Sequence, residues 1–430
     1  MISFDDLKTM RILYTLLMII ATPFYVLRLL LKSLQIPAYR KRILERFGYF
    51  KAPHTFDIWV HAVSLGEVNV AFLLIQALRA RFPEKHIILT TTTPTGSARA
   101  RTLFGDSLFH VYAPYDLPWV VRLFFRKTQP KLAIIMETEL WPNLFKACAE
   151  RQIPLFLANA RRSLASQQRK LAIKPLLQAT LSCVTQVLAQ TTDDGARFIA
   201  LGLPKEKLAV LGNIKYEISL PADLEQRALS LRSRWEKERL VWVAGSTHEG
   251  EEEIIIDAFK KIVEHLPDLL LVLVPRHPER SEKVRALAIQ AGCKTELYTT
   301  WGDLSNHLDI LIINTIGELM IFYKTADVAF VGGSLVPRGG HNFLEPAHLG
   351  VPVITGPHVF NFTEVHQMLT DASGILTVDT AAQLAEQVLL LLSNKEVAKA
   401  LIQGANKVIQ QNQGALGRHL EAIAPFCERG

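Results

Sequence analysis

The 430-residue sequence predicts two doubly wound α/β domains in tandem, each a parallel sheet covered by helices on both faces. Three observations carry that expectation. The chain exceeds the roughly 250–300 residues at which a single core stops growing. Short apolar runs of strand length alternate with amphipathic stretches of helix length, the pattern of βαβ units rather than of hairpins. Midway, a polar, charged stretch at 219–239 interrupts the rhythm, where a linker and an amphipathic helix are expected.

Composition fits this class. Hydrophobic residues make up 49% and charged residues 21%, which excludes a disordered chain. The net charge of +7 is modest for the length, so where the cations sit matters more than their sum. Cys148, Cys183, Cys293 and Cys427 are far apart and form no C-x-x-C pair, against a zinc site or a disulfide framework and in keeping with a reducing compartment.

Residues 1–50 read as a membrane anchor and a basic juxtamembrane segment. The 16 residues 12–27 carry no charge, which is a little short of the roughly 18 of a comfortable span, and Pro23 lies inside them. Asp5 and Asp6 precede the run and no A-x-A follows it, so a cleaved signal peptide is not expected. Lys32, Arg40, Lys41, Arg42 and Arg46 come next, interleaved with Tyr39, Phe47 and Tyr49. Those cations place the rest of the chain on the cytoplasmic side and would attract anionic headgroups or a phosphorylated lipid. Spanning and in-plane attachment both remain open.

Residues 51–218 are expected to form the first domain, with strands at 56–63, 86–92, 108–113, 132–136, 154–158, 184–189 and 208–211 and helices such as 68–81 and 117–127. Residues 219–400 form the second, with strands at 240–244, 269–274, 310–314, 328–331 and 352–355 and helices such as 254–266 and 317–326. A helical segment, 401–430, closes the chain. Doubly wound domains bind ligands at the carboxyl ends of their strands, and two such domains facing each other share a cleft there.

The chemistry-bearing motifs fall at those strand ends. In the first domain, HAVSLGE at 61–67 is a strand end, a glycine turn and a helix start, with Glu67 in the first helical turn as either general base or dipole partner. METELWPN at 136–143 places Glu137 and Glu139 two apart, pointing the same way if the strand persists. Buried carboxylates need partners, and Arg161, Arg162 and Lys215 are the candidates.

In the second domain, GSTHEGE at 245–251 follows a strand and opens a helix, without a G-x-G-x-x-G or a G-x-x-x-x-G-K-[ST] loop. PRHPER at 275–280 brings Pro275 and Arg276 to a strand end, and NTIGEL at 314–319 brings Ile316, Gly317 and Glu318. VAFVGGSLVPRGGHNFLEP at 328–346 has two double glycines, at 332–333 and 339–340, before Asn342, Phe343, Leu344 and Glu345. Glycines allow positive φ and close backbone approach, and a helix start offers N–H groups to an anion. Together these turns predict a mononucleotide-sized pocket for an anionic ligand. No Asp-x-Asp occurs, so a metal-clamped diphosphate donor lacks its usual ligands.

HAVSLGE, METELWPN, GSTHEGEE, VPRHPER, NTIGELM and VGGSLVPRGGHNFLEPA, in this order, resemble the 3-deoxy-D-manno-octulosonic acid (Kdo) transferases of Gram-negative bacteria. The anchor with AYRKRILERFG is similar to theirs, and the match covers nearly the whole chain. The resemblance implies a GT-B architecture of two Rossmann-like domains and transfer of Kdo from CMP-Kdo to the lipid A precursor, lipid IVA. It places the enzyme at the cytoplasmic side of the inner membrane, among membrane lipids, without a metal, cofactor or nucleic acid.

It further implies that Glu67 is the catalytic base and that Glu137 and Lys215 stabilise the transition state. Pro275, Arg276, Ile316, Gly317, Glu318, Asn342, Phe343, Leu344 and Glu345 would bind CMP, with Phe343 where the family more usually has proline. Attack opposite the departing CMP would invert configuration. A transferase of the same architecture using a UDP-sugar, and a tethered nucleotide-binding protein without turnover, are the competing readings.

Overall fold

Apolar runs of two to seven residues become the strands of two parallel sheets. The computed structural model describes residues 4–162, 174–218, 220–221, 223–235, 239–302 and 308–428. It divides into two compact units, Met1–Glu217 with Asn412–Gly430, and Ile218–Gln411.

In the first unit β1 (Ile58–His61), β2 (Ile87–Thr91), β3 (Phe109–Tyr112), β4 (Leu132–Met136), β5 (Leu155–Ala160), β6 (Gln186–Ala189) and β7 (Leu208–Val210) lie in the order β3-β2-β1-β4-β5-β6-β7. All pair in parallel. Strands such as IWVH and LAIIM are buried at every position because both faces are covered, which is why they read as continuous rather than alternating. One face packs Val60, Ile134 and Phe156 against the helices Leu65–Arg81, Pro94–Phe104 and Ala415–Glu428. The other packs Trp59, Ile135 and Leu157 against Pro118–Thr128, Pro142–Glu150 and Lys174–Ser182.

The second unit repeats the plan with β8 (Val241–Thr247), β9 (Leu270–Pro275), β10 (Thr295–Leu297), β11 (Ile310–Ile312), β12 (Val328–Val331), β13 (Val353–Thr355) and β14 (Leu376–Thr377), ordered β10-β11-β9-β8-β12-β13-β14. The edge strands β10 and β14, three and two residues long, are too short to stand out in the sequence. Strand order reverses between β1 and β4 in one sheet and between β8 and β12 in the other. At such a switch point the loops leaving two adjacent strands diverge to opposite faces and leave a crevice.

An apolar helix, Phe4–Ser33, and two short 3-10 turns precede the first sheet. Pro23 lies within the helix without ending it. The basic cluster that follows divides. Arg46 is 4% exposed, with Nη2 donating to Thr92 O at 2.8 Å and its guanidinium 4.1 Å from the Tyr112 ring centroid. Arg42 donates to His110 O at 2.6 Å. These two cations fasten the segment to the sheet, whereas Arg40 and Lys41 remain exposed.

Candidate active site

Both switch points carry the polar residues singled out in the sequence. In the first unit β1 ends at His61 and the helix Leu65–Arg81 starts after Ser64, whose extended backbone makes it the N-cap. Glu67, three residues on, completes a capping box. Its backbone N–H donates to Ser64 Oγ at 3.4 Å, Ser64 Oγ donates to Glu67 Oε1 at 3.0 Å, and Val63 N donates to Oε2 at 2.8 Å. The carboxyl is thereby fixed and 8% exposed. Burial, reinforced by the charges of Glu137 and Glu139 and opposed by its hydrogen bonds, pushes its pKa up to about 7. The capping bonds and the raised pKa thus belong to one side chain. His61 of the same motif is buried and neutral, held to Thr90 Oγ1 at 2.8 Å, and serves the core.

Across the switch point β4 stops at Met136, and Glu137 takes a left-handed φ of 56°. The strand therefore does not persist through Glu139, and the two carboxylates are not related by the strand's two-residue repeat. Glu137 is 5% exposed and lies between two cations, Arg161 Nε at 2.7 Å from Oε2 and Lys215 Nζ at 3.5 Å from Oε1. Arg162, the other candidate partner, instead turns its backbone N–H to Asp194 Oδ1 at 2.8 Å. The structure thus gathers Glu67, Glu137 and Arg161, which follow the adjacent strands β1, β4 and β5, with Lys215 reaching Glu137 from the turn after the edge strand β7.

A buried polar network that sequence reasoning missed holds Lys215 in place. Asn213 Oδ1 accepts from Lys215 N at 2.9 Å and Asn213 Nδ2 donates to Gln190 Oε1 at 3.0 Å. Gln190 Nε2 donates to Asn159 O at 2.8 Å, and Asn159 Oδ1 accepts from Ile214 N at 2.9 Å. Asn159 N in turn donates to His419 Nε2 at 3.1 Å, which requires the proton of His419 on Nδ1, facing Ala415 O at 2.8 Å. Burial lowers the His419 pKa to about 4, so the ring is neutral. The available signal was three polar residues, Asn159, Gln190 and Asn213, each at or just beyond a strand end.

In the second unit the double glycine after β12 serves the fold before it serves a ligand. A side chain on Gly332 would meet Ser246 O at 2.7 Å. The N–H groups of Gly333, Ser334 and Leu335, which the sequence offers to a ligand, are already taken by the buried Glu251 carboxylate at 2.7, 2.9 and 2.8 Å. His248 N adds a fourth bond at 2.9 Å. Glu251 thus ties the turns after β8 and β12 together, and its neighbour Glu252 is fully buried against Arg280, at 2.7 and 3.2 Å.

Beside this knot His248 and His341 stack, Nε2 to Nε2 at 2.8 Å and 6° between planes. Burial first, then neighbouring cationic side chains, lower both to about 4, so one neutral ring donates to the other. Arg276, just beyond β9, is exposed and close enough to Glu345 to pull its carboxyl down against the burial that raises it. Asn342 Nδ2 donates to Glu345 Oε1 at 3.2 Å, and Asn342 Oδ1 accepts from Leu344 N at 3.2 Å.

Phe343 and Leu344 turn their side chains into the core, Phe343 lying 5.3 Å from the Phe362 ring. Their main chain alone is left for a ligand, as is that of Pro275, buried at the end of β9. Ile316, 87% exposed, and Gly317, with φ +87°, form the open turn after β11. Glu318 there accepts from Thr315 Oγ1 and from Arg227 at 2.9 Å. Arg276, His341, Asn342 and Glu345 therefore make one cluster with His248, and the Ile316–Glu318 turn stands at a further strand end. Among the described residues no group of three His, Cys, Asp or Glu side chains is arranged to hold a metal.

The family profile described as 3-Deoxy-D-manno-octulosonic-acid transferase (kdotransferase) matches residues 41–218, and that of glycosyl transferases group 1 matches residues 232–408. The chain is 42% identical to the 3-deoxy-D-manno-octulosonic acid transferase of Haemophilus influenzae, over 97% of this chain and 99% of that one. It is 35% identical to the enzyme of that name from Bordetella pertussis, over 86% and 88%. Among solved structures, a putative UDP-N-acetylglucosamine 2-epimerase from Listeria monocytogenes shares the fold, with TM-score 0.51 at 16% identity over 88% of this chain and 98% of that one. The C-terminal CMP-Kdo binding domain of WaaA from Acinetobacter baumannii is 34% identical over 44% of this chain and 98% of its own length, with TM-score 0.42.

Proposed function

Since the chain belongs to the 3-deoxy-D-manno-octulosonic acid transferase family, we propose that it transfers Kdo from CMP-Kdo to lipid IVA, with inversion and without a metal, at the cytoplasmic face of the inner membrane. The observation that carries this reading is Glu67, a buried carboxyl poised at about pH 7 next to a carboxylate that is itself neutralised by Arg161 and Lys215. A base that is ionised near neutral pH yet reluctant to hold its charge is suited to taking a proton from an acceptor hydroxyl.

In the proposed step the lipid hydroxyl oxygen bonds to the anomeric carbon of Kdo while the bond from that carbon to the phosphate oxygen of CMP breaks. Glu67 takes the hydroxyl proton and CMP departs with the bonding pair. The transition state has oxocarbenium character, as in glycoside hydrolysis. Lys215 and Glu137 stabilise it, and Arg161 pairs with Glu137 from the other side. Arg276 holds the single phosphate as a fixed cation, and the main chain at Pro275, Ile316, Gly317, Phe343 and Leu344 lines the nucleotide. Glu345, oriented by Asn342, accepts from the ribose hydroxyls, and Glu318 bounds the same pocket.

Incubation with CMP-Kdo and a tetraacylated lipid A precursor, followed by mass spectrometry of the lipid, is expected to show addition of Kdo. Glu67→Gln should abolish that product while CMP binding, read by calorimetry, is unchanged; full activity in the variant would remove Glu67 from the role of base. CMP should inhibit far better than UDP, and the reverse order would reassign the donor.

A further inference from the structure

The helix Phe4–Ser33 is long and apolar enough to cross a membrane by length and composition. Its contacts argue for a different placement. Near its start Tyr14 Oη donates to Asp116 Oδ2 at 2.9 Å, and Thr15 and Asn143 share a hydrogen bond at 3.1 Å. Asp116 is fully buried and also caps the helix Pro142–Glu150, accepting from Asn143 N at 3.0 Å and Leu144 N at 2.8 Å. The start of the apolar helix is therefore bonded to the interior of the first unit.

Beyond its end, Arg42 is bonded to His110 O, and Glu45 Oε2 accepts from Tyr112 N at 2.9 Å. Both fastenings belong to the same compact unit. Between them Thr22 and Ser33 are each 7% exposed, and the helix packs against Pro142–Glu150 and Lys174–Ser182.

A crossing helix satisfies none of these contacts. The 19 residues from Thr15 to Ser33 rise about 27 Å, against a hydrocarbon core of about 30 Å. If that stretch crossed, the eight residues 34–41 would have to return through lipid to reach His110. Irregular backbone does not cross lipid unpaired.

The opposite face is of another kind. Leu13, Leu17, Ile20, Phe24, Leu27 and Leu31, spaced three or four apart, form one exposed stripe, each between 53% and 69% exposed. Arg28 and Lys32 flank it, about 60 and 100° around the helix at 3.6 residues per turn, and exposed Arg40 and Lys41 follow. An apolar stripe bordered by exposed cations complements a bilayer surface with anionic headgroups.

We propose that this helix lies in the plane of an anionic bilayer interface, its stripe from 13 to 31 sunk into the acyl boundary, and that it does not cross the membrane. The inference rests on the membrane association given above and fixes its mode. It brings the face of the first sheet covered by Pro118–Thr128 and Pro142–Glu150 close to the lipid.

The test uses the full chain with an epitope tag before Met1, in sealed membrane vesicles turned cytoplasmic side out. In-plane attachment leaves the tag open to added protease without detergent. A tag protected until detergent is added, while the rest of the chain is digested, overturns the proposal. As a second measurement, Leu17→Asp with Phe24→Asp should weaken binding to vesicles of phosphatidylcholine and phosphatidylglycerol at least tenfold, and so should omitting phosphatidylglycerol for the unaltered chain. Unchanged binding in either comparison overturns it as well. The doubly substituted protein should keep its circular dichroism and its transfer to detergent-dispersed acceptor. Absence of transfer by the unaltered protein in detergent would instead count against the acceptor assignment and leave the protease result to decide the placement.

Discussion

Glu67 is where local sequence and long-range structure act on the same atoms. Its spacing from Ser64 fixes the capping box and could be read directly. Its raised pKa could not, because it depends on burial and on carboxylates 70 and 72 residues away, at 137 and 139. The folded state binds the Glu67 proton more tightly than the unfolded chain, whose value is near 4.5. Stability from this group is therefore fully present below about pH 4.5 and is lost as pH rises through about 7. The loss is about 3 kcal/mol at most. Glu67→Gln has no such dependence, so the Tm of the unaltered protein should fall relative to the variant between pH 5 and pH 8. In kinetics, kcat/KM should drop about tenfold per pH unit below pH 7, and a flat profile there would remove Glu67 from the role of base. Lys215→Met should lower kcat at least tenfold with little change in CMP affinity, since Lys215 faces Glu137 in the first unit and the residues proposed to bind CMP lie in the second. Equal losses in turnover and CMP affinity would contradict that division of roles.

At the scale of elements, alternating apolar runs and helices were enough to foresee two parallel sheets, because burial on both faces writes itself into strand composition. What an element end does was less legible. The first double glycine, at 332–333, looked like a cradle for an anion, yet Glu251, more than 80 residues earlier, supplies the anion from within. Likewise the turn that aims Lys215 depends on His419, 260 residues beyond the Asn159 it contacts. Spacing along the chain carries no trace of such pairs. Four backbone N–H groups on one buried carboxylate make Glu251 the knot of the second switch point. Glu251→Gln retains one acceptor oxygen and leaves N–H groups unmet, at about 1–3 kcal/mol each. We expect its Tm to fall by several degrees and CMP affinity to weaken, because the turn leading to Asn342 and Glu345 loses its anchor. A CMP affinity unchanged alongside a lowered Tm would show that the donor turn holds itself.

On the scale of the whole molecule the chain does not finish where the second unit does. The helix Lys395–Asn412 begins in the second unit, and the segment Asn412–Gly430 belongs to the first. The final helix, Ala415–Glu428, is structural there: Ile423, Ala424 and Cys427 sit in the core beside Val68 and Ile58, and the Phe426 ring meets Phe156 edge-on at 5.0 Å. His419, fully buried, reaches the carboxyl end of β5 and stands beneath the loop that carries Lys215. The last residues are thus tied to the chemistry of the unit that begins the chain. His419→Ala removes the acceptor for Asn159 N and opens a cavity, a loss of about 2–4 kcal/mol. Because the damage lies in the first unit, its unfolding transition should move down while that of the second unit stays, and CMP binding should persist. Transfer should fall further than stability alone explains, since Asn159 and Asn213 would no longer hold Lys215 at 3.5 Å from Glu137. His419→Gln, whose amide oxygen can accept the same hydrogen bond, should recover much of the activity. If His419→Ala lowered the first transition but left turnover intact at a temperature where the protein is folded, the network would be a packing device only, and the aim of Lys215 would have to come from its own turn.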